Sequence, residues 1–214
     1  MGDKELAEFI GILLGDGNIG IYRSRVKEKS RTQYRIKITL NSEKDEDYVF
    51  YIVKLINSIF NRSPRIWKRP DSNAVDIFVF GKQSLLYLIS LGMVLAPKWE
   101  RAVIPAFFMN HPYDKLVLRG YMDTDGCICV VNNNGIRYPR IEMKVSPAPM
   151  QNQLIQILLQ NNFNPQISKL EKGKIRITLA GYKNLNEWNQ KIGFSNKRNR
   201  VVCKSFLRNS SKLF

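Results

Sequence analysis

Two carboxylates in this chain are placed to do metal-assisted chemistry, Asp16 and Asp125. Each closes a mostly apolar helical stretch and precedes a glycine, in Phe9-Ile-Gly-Ile-Leu-Leu-Gly-Asp16-Gly17 and in Leu118-Arg-Gly-Tyr-Met-Asp-Thr-Asp125-Gly126. An acid at a helix C-terminus meets the negative pole of the helix dipole, which disfavours it by about 0.3–1 kcal/mol. Gly17 and Gly126 are expected to be C′ glycines that fix each helix end at its acid. Small residues recur at every fourth position, Ala7, Gly11 and Gly15 in the first stretch, Gly120 and Thr124 in the second, which lets two helix backbones approach closely. Packed through those strips, the helices bring both carboxylates and both C-termini into one small volume. A cation makes that arrangement favourable, and carboxylates with backbone carbonyls suit Mg²⁺. The expected ligand set is Asp16 and Asp125, with Gly15 and Thr124 beside them.

Other chemistries fit less well. Residues 15–20, Gly-Asp-Gly-Asn-Ile-Gly, spell a dinucleotide fingerprint, but that motif needs a strand before it and a helix after it, and Asp16 would repel a pyrophosphate. The Asp-x-Asp-Gly at Asp123 to Gly126 is shared with some phosphatases, where it ends a buried strand and has no twin upstream. His111 is the single histidine, so no histidine pair competes as general acid and base.

The elements that must carry the acids also occur twice. After each Asp-Gly come strand-like runs at 19–26 and 33–41, then 127–132 and 137–145; an amphipathic helix from Tyr48 to Phe60, then Gln151 to Asn161; strands at 64–69 and 74–80, then 165–170 and 174–180; and a short helix between glycines 81 and 92, then 181 and 193. Such a period is too long for a solenoid. The expected fold is therefore α+β: two pseudo-symmetric αββαββα half-domains, 1–106 and 115–214, joined by a linker at 107–114, with a seam from Pro105 to Asp114 where Pro105 and Pro112 break the helical pattern. Each would carry a curved antiparallel sheet and pack on the other through its acid-bearing helix. At 214 residues with 44% hydrophobic content the chain can fill such a core.

The formal net charge of +16 points to a polyanion. It is interleaved with strand patterning: Tyr34, Ile36, Ile38 and Leu40 alternate with Arg35, Lys37, Thr39 and Asn41, and Ile141, Met143 and Val145 alternate with Arg140, Glu142 and Lys144. Further candidates for a DNA-binding face are Arg23, Arg25, Lys27 and Arg31 in the first hairpin, Lys68 and Arg69, Asn132 and Arg137, and Lys174 and Arg176. Tyr22, Gln33, Asn73, Tyr138 and Thr178 add groups able to read base edges. Two such faces about a twofold axis would cover about 20 base pairs of duplex. Cys127, Cys129 and Cys203 have no metal-type spacing and read as packed thiols in a reducing compartment, with Cys127 and Cys129 expected on opposite strand faces. No signal peptide or membrane span is read, so an intracellular protein is expected.

These features together resemble the two-repeat, single-chain LAGLIDADG homing endonucleases. The family motif falls on 9–17 and 118–126, and the likeness extends to the paired basic strands and to the Gly-x-x-x-x-Pro-Lys run at 92–98. Leu14 stands where the name-giving sequence has its first Asp; Asp123 fills that place in the second copy, but residues two apart do not share a helix face, so Asp123 is read as peripheral. The resemblance implies Mg²⁺-dependent cleavage of both strands of a long, nearly asymmetric site by a monomer, leaving short 3′ overhangs. Mn²⁺ would substitute, and Ca²⁺ would bind without supporting cleavage. It further implies an intron or intein origin. Lys98 matches the family's peripheral lysine; the strict equivalent in the second repeat is Asn199, with Lys197 or Arg198 as substitutes. Asn41 and Lys144 match polar positions around the attacking water. Two alternatives share the fold, an RNA maturase acting on host intron RNA and a non-cleaving DNA-binding protein.

Overall fold

The computed structural model describes residues 2–26, 29–133 and 135–210. The first half runs α1 (Asp3–Leu14), β1 (Gly17–Val26), β2 (Lys29–Asn41), α2 (Glu46–Phe60), β3 (Arg65–Lys68), β4 (Ala74–Phe80) and α3 (Lys82–Ser90). The second repeats it with α4 (Tyr113–Asp125), β5 (Gly126–Asn133), β6 (Ile136–Val145), α5 (Met150–Gln160), β7 (Gln166–Lys169), β8 (Ile175–Ala180) and α6 (Gly181–Lys191), then adds α7 (Lys197–Ser210). A 3₁₀ turn, Ala106–Met109, buries Phe108 between the halves. The order αββαββα thus occurs twice, as the patterning predicts, and α7 is the unanticipated element. Five of its residues are basic, and among its described residues only Cys203 and the polar Asn199 are buried, so its apolar stripe is too thin to read.

Among the described residues the strands form two four-stranded antiparallel sheets, ordered β1-β2-β4-β3 and β5-β6-β8-β7. Period-two alternation decides their faces. Ile36, Ile38 and Leu40 lie in the core, whereas Arg35, Lys37 and Thr39 keep partial exposure on the opposite face. In β6, Ile141, Met143 and Val145 are buried while Arg140, Glu142 and Lys144 face out. Residues directly paired across strands share a face, so Cys127 and Cys129, opposite Glu142 and Arg140, both lie on this open face. That corrects the expectation of opposite faces: positions two apart on a strand point the same way. Among the described residues no helix is long and apolar enough to cross a membrane.

The centre of the molecule is the crossing of α1 and α4. Helix α1 is buried on every side from Leu6 to Leu14, which an amphipathic surface helix never is. At Gly11 an added Cβ would lie 2.2 Å from the Val117 carbonyl oxygen, and at Gly120 one would lie 2.2 Å from the Glu8 carbonyl oxygen. The two contacts are images of each other under the internal twofold. Gly15 repeats the close approach against Thr124. Gly17 and Gly126, expected to adopt a left-handed C′ conformation, do not; they open β1 and β5, and a Cβ there would strike the preceding helix at Leu13 and Met122. One ion pair breaks the symmetry of the seam: Arg119 on α4 donates to the buried Glu8 on α1, which also accepts the Tyr51 hydroxyl at 2.8 Å.

Gly11→Ala or Gly120→Ala should therefore cost about 3 kcal/mol, or about 10 °C in Tm, because a methyl is driven into backbone rather than into a movable side chain. Thermal unfolding reads this directly, and an unchanged Tm would show that the helices are not in backbone contact.

Candidate functional site

The acids emerge side by side from this crossing, though not identically. Helix α4 ends on Asp125 itself; α1 ends at Leu14, and Asp16 sits in the turn into β1, where its carbonyl accepts the Thr39 N–H at 3.3 Å. Both keep accessible surface, Asp125 more than Asp16. Burial and then the neighbouring charge of Asp125 raise the Asp16 pKa to about 6, against the pull of Lys98 and Arg198. Burial also raises Asp125, against the pull of Lys98 and a hydrogen bond from Tyr121. Two desolvated acids that each lift their protons' affinity are the electrostatic signature of a site awaiting positive charge.

Part of that charge is supplied by the protein. The Lys98 ammonium donates to the carbonyls of Leu13 (3.0 Å), Leu14 (2.8 Å) and Gly15, closing the C-terminal turn of α1 with a cation. Burial lowers the Lys98 pKa, and Asp125 and Asp16 push it back up. Helix α4 has a different ending. Its Thr124 hydroxyl bonds back to the Gly120 and Tyr121 carbonyls, both at 3.0 Å, and the Asn196 amide reaches the Asp123 carbonyl at 3.3 Å. A neutral amide stands where the first half has an ammonium.

Asp123 is indeed turned away from the acid pair. Its buried carboxylate accepts the Ser195 N–H (2.6 Å), the Asn196 N–H (2.9 Å) and the Asn199 amide (2.8 Å), so it anchors the start of α7. Burial outweighs these donors and holds its pKa up at about 6. The Asn196 amide also bonds Asp45 at 2.9 Å, and Arg198 pairs with Asp45 at 3.1 Å. Asp45, the N-cap residue of α2, in turn accepts the Asn41 N–H at 3.3 Å. Asp45, Asn196 and Asp123 thus stitch the first half to the second beside the acids. Sequence reasoning missed this chain because its members come from three distant segments with no shared spacing.

The other candidates divide by position. Asn41 turns its side-chain oxygen onto the Glu43 and Lys44 N–H groups, forming a local turn. Lys144 is exposed on β6, and the strand registers make it the counterpart of Thr39 rather than of Asn41. Lys197 pairs at 2.8 Å with Asp47 on the surface, so Arg198 is the nearer cation to Asp16. On the open face of the first sheet lie Tyr22, Arg31, Gln33, Arg35, Lys37 and Thr39. There Arg35 stacks on the Tyr22 ring at 3.9 Å. Thr39 and Arg69 both bond Asp76, with Lys37 at 3.8 Å, and that pairing holds the buried Asp76 carboxyl below its usual range against desolvation. Arg23, Arg25 and Lys68 fall on the other face by register, and Asn73 lies in the β3–β4 turn. On the second sheet Tyr138, Arg140, Glu142, Arg176 and Thr178 share the open face, with Arg176 paired to Glu142 at 3.5 Å. Lys174 precedes β8 and lies 5.7 Å from the Trp99 ring, while Asn132 and Arg137 pair with each other on the far face. Lys27 is outside the described residues.

A hard divalent cation fits what is present. Among the described residues no group of three or more His, Cys, Asp or Glu side chains could hold a metal ion, so a cation at the acids would have only two carboxylates. Mg²⁺ characteristically binds through one or two carboxylates and completes its shell with water and substrate phosphates. Asp16 and Asp125 would hold it. The Gly15 carbonyl already accepts from Lys98, and the Thr124 hydroxyl is spent on its own helix, which leaves only their remaining carbonyl lone pairs.

Residues 8–186 match the profile of the LAGLIDADG DNA endonuclease family. No curated protein sequence matches the chain. Among solved structures, the I-LtrWI LAGLIDADG homing endonuclease bound to target DNA superposes with a TM-score of 0.66 at 11% identity, over 98% of this chain and 91% of the other. I-DmoI in complex with DNA and Mn gives 0.62 at 16% identity, over 90% and 98%. I-SmaMI bound to uncleaved DNA in the presence of calcium ions gives 0.65 at 9% identity, over 97% and 93%. At these identities the likeness is one of fold.

The raised acid gives a pH-dependent test. Asp16 keeps its proton in the folded, metal-free protein up to about pH 6, whereas an unfolded Asp loses it near 3.8. Its contribution to stability is therefore greatest below the unfolded value and is lost as pH rises through about 6. A divalent cation competes with that proton. Ca²⁺ or Mg²⁺ should raise Tm at pH 7.5 and do so much less at pH 5; equal shifts at both would place the cation elsewhere.

Proposed function

Because this chain belongs to the LAGLIDADG DNA endonuclease family, we propose that it makes a site-specific double-strand break in DNA, each acid serving one strand. The observation that carries this reading is the convergence of Asp16 and Asp125 beside one helix crossing, between two sheets whose open faces are basic. A pure binder gains nothing from clustered carboxylates next to a polyanion. The half-domains are taken as 1–106 and 115–214, and the chain acts as a monomer because both acids are already in it.

Cleavage of a phosphodiester needs an attacking water, neutralisation of charge on the phosphate, and help for the leaving oxygen. Asp16 and Asp125 would hold a divalent ion, Mg²⁺ in this reading with Mn²⁺ substituting, which would supply Lewis acidity toward a phosphate oxygen and a more acidic water. The chain's own groups do the rest. Asp16 and Asp125 fix the charge at the seam. Lys98 holds the end of α1 in place and adds positive potential toward the phosphate. The basic faces, Arg35 and Arg140 among them, take the backbone on either side and set the duplex across the twofold. An intron or intein origin and short 3′ overhangs complete the proposed role as a homing endonuclease.

A plasmid library with randomised inserts, incubated in Mg²⁺ and in EDTA, should yield staggered ends at one sequence in Mg²⁺ alone. Asp16→Asn and Asp125→Asn should bind that sequence with near-normal affinity and lose double-strand cleavage by about 10²–10³-fold or more. Full cleavage by either variant would sink the shared centre. Tight binding with no cleavage by the native chain would leave a non-cleaving DNA-binding protein.

A further inference from the structure

At the end of the first sheet farthest from the acids lies an open cavity of about 660 Å³, lined by Arg31, Arg62, Arg65 and Lys82 with the Phe80 ring and others. The four cations come from β2, from the turn after α2, from β3 and from the start of α3. No acidic residue lines the cavity, and among the described residues none of the four forms a salt bridge. Two of the charged groups lie over rings instead, the Arg65 guanidinium 5.7 Å from Phe80 and the Lys82 ammonium 5.9 Å from Tyr34, and Arg62 donates to the Phe80 carbonyl at 3.5 Å. This differs from the middle of the same sheet, where Arg69 and Lys37 are held by Asp76. Four unneutralised cations around one concave space repel one another, and an anion relieves that repulsion.

The corresponding end of the second sheet has a smaller cavity of about 310 Å³, lined by Arg137, Tyr182, Ser205 and Phe206, with one cation where the first has four. Gln166 occupies the register position of Arg65, and Tyr182 follows Gly181 as Lys82 follows Gly81. After the left-handed residues Asn61 and Asn162, Arg62 is replaced by the buried Phe163. Helix α7 also covers this region: Phe206 packs on the Tyr182 ring at 6.4 Å, and the Tyr182 hydroxyl donates to the Arg137 carbonyl at 3.2 Å. One sheet end is narrowed by α7 and carries a single cation; the other is wider and carries four.

Position identifies the anion. Thr39 is bonded to the Asp16 turn, and from there β2 runs outward to Gln33 at the cavity rim. At a rise of roughly 3.3 Å per residue that path is about 20 Å, the length of about six base pairs. We propose that this cavity binds backbone phosphates of duplex DNA about six base pairs from the acids, so that phosphate contacts are denser on the first-repeat side. The inference rests on the DNA-binding part of the function proposed above.

The test is the salt dependence of binding by the full chain to a mixed-sequence duplex of about 40 base pairs, which outreaches the protein on both sides. Arg62→Gln/Arg65→Gln/Lys82→Gln removes three of the cations. Lys54→Gln/Lys183→Gln/Lys204→Gln removes equal charge from the helical side and leaves every proposed contact in place. The slope of log K against log salt should become shallower by about 2 to 3 in the first variant, at about 0.9 per phosphate, and stay unchanged in the second. A steep native slope that the cavity variant leaves unaltered would overturn this assignment and leave the DNA-binding reading standing. A flat native slope would overturn both. Weakening confined to an RNA hairpin probe, with the duplex slope intact, would overturn the assignment to DNA. All three substituted cavity residues are exposed, so the variant should melt like the native chain.

Discussion

Where α1 crosses α4, the backbones touch with only hydrogen atoms between them. Gly11 lies against the Val117 carbonyl and Gly120 against the Glu8 carbonyl, so the separation of the helix axes is set by main chain, which cannot adjust as side chains can. Everything at the site inherits its geometry from that contact. The acids stand at the ends of helices whose spacing is fixed a turn or two earlier, and the sheets follow within one or two residues, β1 at Gly17 and β5 at Gly126. A small error at the crossing would be carried to both carboxylates and both sheets at once. This is why the stripe of small residues and the acids occur in the same short segments.

The twofold governs the backbone far more strictly than the charge. In the first half, Lys98 meets the exposed carbonyls at the end of α1 with an ammonium. In the second half, Asn196 supplies a neutral amide, and the cation nearby, Arg198, is bound to Asp45. Asp16 and Asp125 therefore sit in unequal fields even though their helices are images of each other. The unequal outer ends of the sheets extend the same theme: a scaffold that repeats in backbone carries side chains that do not, which suits a DNA site whose two halves differ.

Much of this was legible in the chain, because the decisive signals are local. Glycines at helical spacing, an acid before Gly17 and Gly126, and period-two alternation in β2 and β6 each lie within one element and report its buried face. What escaped was long-range. The Asp45–Asn196–Asp123 chain joins segments with no common spacing, and the outer cavity gathers cations from four elements. The role of Lys98 as a helix cap depends on a loop returning to α1, which no periodicity encodes. Asn41 and Lys144 each end a strand, but the cross-strand registers, invisible in sequence, make Lys144 the counterpart of Thr39. Helix α7 escaped because its described residues bury little beyond Cys203. Gly17 and Gly126 were legible as necessary glycines but for a different reason, close approach rather than a left-handed backbone.

The central claim is that Asp16 and Asp125 form one electrostatic centre. Carbon-13 NMR titration of the Asp16 side-chain carboxyl in the metal-free protein, with Asp125 native and then as Asp125→Asn, measures it most directly. A shared centre predicts a midpoint near 6 in the native chain and a lower one once the neighbouring charge is removed, with burial alone left to hold it up. A midpoint that does not move with the substitution would contradict it.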